Sequence, residues 1–203
     1  MSPSGTMVRV YAELRRRIME GDLRPGDRLD PTRLGKEMLA SMTPIRDALH
    51  QLKGEGLVES WKHEGFWIAE LGETTIRDRY LWCRDLVRLC LLAPRLRSAP
   101  VAGSPAGVGY PEAVTDLLLR IAGLSMNQEH MRAMSSLCDR TYLIRLLESR
   151  LIDDPAADLR PIEDRIDDGL WDQAMEAFEA FHGRRMEIIS HLAGAFRTQT
   201  GAI

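Results

Sequence analysis

The feature that most constrains the fold is a change in sequence pattern near residue 71. Before this point short apolar segments alternate with turn signals, whereas after it almost every segment has the periodicity of a helix. We therefore predict a small mixed domain over residues 8–71 and an all-helical domain over residues 75–197. The length of 203 residues fits this division, because it exceeds one typical domain and falls short of two full-sized ones.

The first part of the chain contains three helical segments. Apolar residues recur at helical spacing over residues 7–20, and residues 32–39 form a short second segment. A third helix begins at Ser41 or Thr43, since either hydroxyl can cap it, and Pro44 then falls in the first turn, where its missing N–H costs nothing. The predicted core-facing stripe of this helix consists of Ile45, Ala48, Leu49 and Leu52.

Two apolar and aromatic segments follow the third helix, at residues 57–62 and 66–71. The short Gly-containing loop between them is typical of a β-hairpin. Three helices and a hairpin in so short a stretch form the outline of a winged helix-turn-helix. The predicted fold class is therefore mainly α, with this winged domain followed by an all-α helical bundle.

The second part is predicted to form that bundle. A long helix over residues 75–92 has two apolar stripes, which indicates that it is buried on two sides. Both sides face the interior of a bundle, or one of them lies at the seam of a dimer. Residues 94–111 are rich in Pro, Gly, Ala and Ser and are predicted to form a mobile loop. Further helices are predicted over residues 112–123, 126–137, 139–152, 159–168 and 170–197.

Composition and charge exclude several classes of protein. The 27 Lys and Arg residues against 30 Asp and Glu give a net charge of −3, which excludes a histone-like polycation. No apolar run approaches the roughly 18 residues of a membrane span, and the first ten residues lack the pattern of a secretion signal. Three cysteines without a CxxC pair argue against a disulfide framework and a zinc ribbon. These features predict a cytoplasmic protein with no membrane segment.

Many positions between residues 8 and 71 resemble the GntR family of bacterial transcription regulators. The matching residues are the string LGKEMLASMTPIRDAL from Leu34 to Leu49, then Leu52, Glu55 to Val58, the upstream Ile18, Gly21, Leu23, Pro25, Gly26 and Leu29, and the wing pair Gly65 and Phe66. The resemblance implies a homodimer that binds a palindromic operator in double-stranded DNA and acts as a repressor.

The chemistry of the third helix agrees with DNA contacts from its first turn. A helix N-terminus carries the positive end of the dipole and suits a phosphate or a guanine edge in the major groove. Arg46 is predicted to read a base or clamp a phosphate, while Ser41 and Thr43 contact the backbone or a thymine methyl. The other predicted contacts are Arg33 and Lys36 on the second helix and Lys62, His63 and Gly65 in the wing.

Met42 departs from the family pattern, which usually has Arg directly after this Ser. Methionine cannot donate the bidentate hydrogen bonds that read guanine, so about 1–3 kcal/mol of discrimination at that base is lost or replaced. We therefore expect Met42 to lie at the DNA interface and the operator to differ from the family's usual GT…AC palindrome.

Other interpretations of the N-terminal part stay open. Winged helices also bind proteins, and residues 1–71 contain 11 basic and 11 acidic residues, so a protein-interaction adaptor without sequence-specific DNA binding is the alternative. The run of Arg15, Arg16 and Arg17 is typical of a solvated helix face, and His63 of an exposed turn. An enzyme is not expected, because the sequence has no nucleophile elbow, phosphate-binding glycine loop or intact metal constellation.

The helical part resembles the FCD effector domain of the FadR-type branch of the family. The matching residues are Arg84, His130, Asp139, Asp168, Gly169, Ala174 and His182. The resemblance implies a dimerising domain that binds a small organic acid as effector. It also implies, in many members, a divalent metal held by Asp or Asn four residues before a His and by two further His.

The metal-binding positions of that domain are degraded in this chain. Met126 stands four residues before His130, and the third ligand position falls on Arg160 or Leu159. His130 and His182 are the only remnants, so we predict no metal cofactor. The alternative for both is a hydrogen-bonded histidine that lines the helical core.

An organic-acid effector without a metal needs another positive partner. A guanidinium suits a carboxylate because two of its N–H groups can bond to the two carboxylate oxygens at once. Arg84 is therefore predicted to form an anion site with Arg160 or His130, and His182 is placed with them as an effector-binding residue.

Overall fold

The computed structural model describes residues 3–61, 65–92 and 109–200. The chain divides into two compact units, one formed by the residues up to Leu71 together with the chain end from Phe196, the other by Gly72–Ala195. The first unit has the three helices and small sheet of a winged helix, and the described part of the second contains helices without strands. The predicted fold class is confirmed.

The first unit contains the helices α1 (Pro3–Met19), α2 (Pro31–Glu37) and α3 (Met42–Gly54). α1 begins earlier and α2 ends earlier than the periodicity predicts. α3 packs mainly on α1, and its residues Ile45 and Leu49 are fully buried. Side-chain bonds tie α1 to the turn after α2 and to the end of α3. Arg9 donates to the carbonyl of Met38 at 2.8 Å, and the hydroxyl of Tyr11 donates to Glu55 at 2.9 Å.

A three-stranded antiparallel sheet completes this unit. Its strands are β1 (Arg28–Leu29), β2 (Val58–Trp61) and β3 (Gly65–Ile68), with β3 in the middle. The sequence predicted only the hairpin of β2 and β3, because β1 has two residues and is too short to show an alternating pattern. Leu29 of β1 lies opposite Phe66 of β3, and both are buried, so β1 closes one side of the small core.

The second unit is a helical bundle. Its elements are α4 (Glu73–Leu92), α5 (Tyr110–Leu124), α6 (Gln128–Leu151), a 3-10 helix (Pro155–Asp158), α7 (Arg160–Asp167), α8 (Trp171–Glu187) and the part of α9 (Ile189–Thr200) that precedes Phe196. α4 and α5 pack against each other, and α6 packs on both. In the described ranges no helix is long and apolar enough to cross a bilayer.

Three predicted boundaries in this unit are wrong. The segments 126–137 and 139–152 form one continuous helix, α6, because Cys138 at the expected break is a buried core residue with no helix breaker beside it. The last predicted helix is instead broken at Ile188, where the sequence has neither Gly nor Pro to signal a break. Of the predicted loop 94–111, residues 94–108 lie outside the described ranges, and Tyr110 and Pro111 already belong to α5.

Leu39, in the turn between α2 and α3, is expected to destabilise the protein. Its φ is 51° and its side chain is 90% exposed. The left-handed conformation costs roughly 1–2 kcal/mol in a residue with a Cβ, whereas glycine adopts it readily but loses more entropy on folding. Leu39→Gly should therefore raise the free energy of unfolding by about 1 kcal/mol, measured by urea denaturation.

Leu39→Ala is the matched control, because it keeps the Cβ and removes almost no buried surface. Its free energy of unfolding should stay within about 0.5 kcal/mol of that of the wild type. Equal stability of the alanine and glycine variants would contradict the assignment of strain to this residue.

Candidate functional site

Local contacts in the helix-turn-helix fix the start of α3. Asp30 caps α2 by accepting a hydrogen bond from the backbone N–H of Thr32 at 2.8 Å, and this bond lowers the pKa of the Asp30 carboxyl. Gly35 lets the chain turn back closely, since a Cβ there would lie 3.0 Å from the carbonyl oxygen of Ala40. α2 and α3 are thereby held at a short separation by a turn of a few residues.

The first turn of α3 presents exposed side chains. Ser41 is the N-cap residue, but its hydroxyl makes no capping hydrogen bond with the helix. Ser41, Thr43 and Arg46 are exposed, and Met42 is 38% exposed. Arg46 lies four residues after Met42 and therefore on the same face, opposite the buried stripe. The residues predicted to read DNA thus share one solvent-facing surface at the start of α3.

The basic residues near this surface differ in their pairing. Within the described ranges, no ion pair or hydrogen bond involves the side chains of Lys36 and Arg46. Arg33 instead lies 3.4 Å from the carboxylate of Glu37, and the same carboxylate accepts from Arg17 at 3.0 Å. Lys36 and Arg46 are therefore the cations of this surface that are available to a phosphate.

The predicted wing is described only in part. Gly65 opens β3 with a φ of 115°, a conformation that favours glycine, and a Cβ there would come within 3.8 Å of the ring of Trp67. Trp67 itself contacts the guanidinium of Arg28 on β1, whose central carbon lies 5.9 Å from the ring centroid. Lys62 and His63 lie outside the described residues.

In the second unit an electrostatic interaction connects two of the four predicted effector residues. His182 on α8 is buried, with its ring edge-on to Tyr80 at 6.3 Å and stacked on Phe178 at 6.4 Å between centroids. Arg84 on α4 pairs with Asp85 at 3.0 Å, and its charge acts on His182. Burial lowers the pKa of His182, so the neutral imidazole is favoured.

The other two predicted effector residues are not joined to this pair. His130 lies in the first turn of α6, and its buried Nδ1 atom has no hydrogen-bond partner within the described part of the chain. Arg160 is the first residue of α7 and is exposed. Neither residue has a hydrogen bond or ion pair that connects it to Arg84 or His182 in the described ranges.

A buried polar network, which the sequence analysis missed, lies beside His182. Arg185 is 1% exposed, and its Nε atom lies 3.3 Å from a carboxylate oxygen of Glu148. Its Nη1 and Nη2 atoms donate to Asp158 and to the hydroxyl of Tyr110, each at 2.8 Å. The hydroxyls of Tyr80 and Tyr110 donate to the two oxygens of Glu148. Burial raises the pKa of both tyrosines, so they remain neutral donors.

The sequence did contain a signal for this network. Arg185 follows Phe181 by four residues and Phe178 by seven, so it lies on the apolar stripe of α8. A charged residue on a core-facing stripe must find a partner, because an unpaired buried charge is very costly. A charged residue at such a position predicts a buried ion pair. The spacing of residues along one helix does not predict which residue of another helix is the partner.

The surroundings of His182 do not fit the divalent metal that the FCD resemblance implied. A cavity between α4, α5, α6 and α8 is lined by His182 and by the two guanidinium groups of Arg145 and Arg185, which repel a cation. In the described part of the chain no group of three or more His, Cys, Asp or Glu residues could hold a metal ion. The donor set therefore disagrees with a metal site.

Fold and local geometry define the N-terminal unit as a winged helix-turn-helix domain. Its residues 6–68 match the sequence profile of the bacterial regulatory proteins of the gntR family. The match lies wholly within the N-terminal unit, so this unit is similar to the domain that the family shares.

Similar curated proteins include two HTH-type or operon regulators. The chain is 31% identical over 78 residues to the uncharacterized HTH-type transcriptional regulator YdhC of Bacillus subtilis, covering 38% of this chain and 35% of that protein. It is 24% identical over 139 residues to the Nta operon transcriptional regulator of Aminobacter aminovorans, covering 62% of this chain and 66% of the relative. The chain thus matches between about a third and two thirds of the length of these two relatives.

Solved structures show the same fold at low sequence identity. A GntR transcriptional regulator from Rhodococcus sp. RHA1 aligns with a TM-score of 0.72 at 18% identity, covering 93% of this chain and 98% of the other. The E. coli protein McbR/YncC aligns with a TM-score of 0.62 at 15% identity, covering 94% and 98%. The chain therefore shares the fold of these two structures.

The lowered pKa of His182 predicts a pH-dependent stability of the folded protein. The cause is burial, which the charges of Glu179 and Asp85 oppose and those of Arg84 and Arg185 reinforce. Below the ordinary histidine pKa of 6.5, the unfolded state binds a proton that the folded state resists. The free energy of unfolding should therefore fall as the pH drops below 6.5, as measured by urea denaturation across this range.

Two histidine variants isolate this effect. His182→Gln should flatten the pH dependence in the window below 6.5, whereas His191→Gln should leave it unchanged, because His191 is exposed on α9. A wild-type slope in the His182→Gln variant would overturn the assignment.

Proposed function

We propose that this protein is a transcription regulator that binds a palindromic DNA operator as a homodimer and acts as a repressor. The observation that carries the proposal is the exposed surface at the start of α3 in a domain that matches the gntR-family profile, with an uncommitted Ser41 hydroxyl and the unpaired cations Lys36 and Arg46. Two-fold symmetry places two such helices in successive major grooves.

Each predicted contact has a distinct role in this proposal. Arg46 reads a base edge or clamps a phosphate, and Thr43 contacts the backbone or a thymine methyl. Lys36 binds a phosphate without reading sequence, while Arg33 first has to leave Glu37. In the wing, Gly65 allows a close approach to the minor groove, and Lys62 and His63 supply phosphate contacts.

Pairing within the first unit limits how strongly DNA is attracted. Arg16 and Arg17 both bond to Glu13, lowering the pKa of that carboxyl to about 2, and Arg17 and Arg33 both contact Glu37. These pairs engage three of the six basic residues of α1 and α2 and weaken their attraction for phosphates. Binding should consequently depend on few cations and show a modest salt slope.

A protein-interaction adaptor is the second candidate function. It is favoured by the exposed apolar side chains of Leu39 and Met42 beside the start of α3. Selection of bound DNA from a random-sequence pool separates the two functions. Enrichment of an inverted repeat supports the regulator, whereas recovery of unenriched DNA rejects it in favour of the adaptor.

We propose further that the helical unit binds a small organic acid, which changes operator affinity through a coupling free energy. Support comes from His182, which lines the cavity described above, and from Arg84, whose charge acts on His182. His130 and Arg160 belong to this site only if the ligand reaches beyond that pair. Titration of the operator complex with candidate acids tests the coupling.

Substitution of the two unpaired cations should weaken operator binding in different ways. Arg46→Ala should reduce affinity about tenfold to a hundredfold and relax the preference at one base position, because a base contact is lost. Lys36→Ala should weaken binding to all sequences alike and reduce the salt slope by about 1, because one phosphate contact is lost. Fluorescence anisotropy at several salt concentrations measures both effects.

Arg77→Ala is the control for these variants. Arg77 is exposed and pairs with Glu73 on α4 of the other unit, so its removal changes the net charge equally without touching the proposed surface. Equal losses of affinity in all three variants would show that only net charge matters, which contradicts the proposed contacts.

Met42→Arg is expected to change the operator that the protein selects. Arginine at this exposed position in the first turn of α3 can donate two hydrogen bonds to a guanine, which methionine cannot. Selection from a random pool should therefore recover a G·C pair at one position in each half-site that the wild-type protein does not require. An identical selected sequence for both proteins would show that Met42 takes no part in DNA reading.

A further inference from the structure

Arg145 is a buried cation without a carboxylate partner. It lies on α6 with 4% of its surface exposed, and none of the ion pairs of the described residues includes it. Its two terminal nitrogens donate to the hydroxyls of Thr115 at 2.7 Å and Thr141 at 2.6 Å. Both hydroxyls in turn donate to backbone carbonyls, Thr115 to Pro111 and Thr141 to Leu137.

These partners orient the guanidinium but do not neutralise it. A guanidinium has five N–H donors, and the two hydroxyls accept only two of them. The thiols of Cys83 and Cys138 also face Arg145, but burial raises the pKa of Cys83 to about 12 and also raises that of Cys138, so both are uncharged at neutral pH. The charge of Glu148 acts on Arg145, but the two side chains form no ion pair within the described residues.

The nearest carboxylates are already committed to another cation. Glu148 on the same helix bonds to Arg185 and accepts from two tyrosine hydroxyls. Asp158 bonds to Arg185 as well, and it also pairs with Arg184. Because a buried charge without a carboxylate of its own is costly, a carboxylate that bound beside Arg145 would gain a favourable interaction.

Arg145 lines the same interior cavity as His182. The cavity has a volume of about 20 Å³, which corresponds to roughly one water molecule. Its wall contains two guanidinium groups, one carboxylate and a neutral imidazole, and is otherwise formed by apolar and aromatic side chains such as Val114, Leu118 and Phe178. The lining thus carries one excess positive charge, and the space between its side chains is too small for a carboxylic acid unless these side chains move apart.

We propose that this cavity is a binding site for a small monocarboxylate, held by a bidentate contact with Arg145 and by packing against the apolar wall. The inference rests on the proposed effector function of the helical unit and gives it a ligand class: one negative charge, a short carbon chain and no metal. Thr115 and Thr141 hold the guanidinium fork in place. Entry of the ligand requires the side chains of the surrounding helices to separate, because the empty cavity is smaller than any carboxylic acid.

Calorimetric titration of the full chain with formate, acetate and propionate tests the proposal, with acetamide as the neutral isostere and succinate as the doubly charged acid. At least one monocarboxylate should bind saturably and raise the melting temperature by about 3–6 °C at ten times its dissociation constant. Acetamide should give no response. Absence of saturable binding by all three monocarboxylates, or preferential binding of succinate, would overturn the proposal.

Variants of Arg145 test whether its guanidinium binds the carboxylate. Arg145→Met should abolish binding, and because it removes a buried charge that has no ion pair, the melting temperature without ligand should be equal to or above that of the wild type. Arg145→Lys keeps the positive charge but cannot form the bidentate contact, so it should bind the monocarboxylate about tenfold more weakly. This variant provides a second test if the methionine variant does not fold. Arg150→Met, on an exposed position of the same helix, is the control and should bind as the wild type does. Wild-type affinity in Arg145→Met would overturn the assignment.

The DNA experiment distinguishes failure of this inference from failure of the proposed function. A protein that selects an inverted repeat but binds no monocarboxylate remains a DNA-binding regulator, and only the ligand site is rejected. If the protein binds acetate through Arg145 but selects no DNA, the ligand site is supported and the proposed DNA-binding function is rejected.

Discussion

Burial of the Arg185 guanidinium determines how the helical unit is assembled. Its partners lie on different elements: Tyr110 begins α5, Glu148 is near the end of α6, and Asp158 closes the 3-10 helix. Tyr80 of α4 joins through Glu148. Since breaking a buried ion pair by removing one partner typically costs about 3–5 kcal/mol, these elements can separate only at a considerable cost. The network therefore positions the cavity in which Arg145 and His182 lie.

The contrast between Arg185 and Arg145 bears on the proposed ligand site. Both are buried arginines of the same helical core, yet Arg185 bonds to two carboxylates, whereas Arg145 donates to two hydroxyls and forms no ion pair within the described residues. A fully compensated pair stabilises a fold without needing a ligand, whereas a cation without an ion pair leaves interaction energy for a ligand to supply. The winged domain shows a similar contrast, because Arg33 pairs with Glu37 whereas Arg46 forms no ion pair within the described residues.

Much of the fold could be predicted from the sequence, because local patterns decide it. The stripe from Ile45 to Leu52 fixed α3 and its buried face, and the glycines and prolines fixed most turns. The break at Ile188 and the two-residue strand β1 could not be predicted, since neither has a periodicity or a breaker residue. The merger of two expected helices into α6 reflects core packing around Cys138.

The sequence alone determined the winged helix class of the N-terminal unit and its likeness to the GntR family. It also determined the position of α3. These features depend on the spacing of residues within one short segment. Only the tertiary structure decided which charges are available. Glu37 reaches both Arg17 and Arg33, and Glu148 meets Arg185 across 37 residues, so their pairing depends on how helices pack. Whether an arginine can bind a ligand depends on what surrounds it in space, and sequence distance does not contain that information.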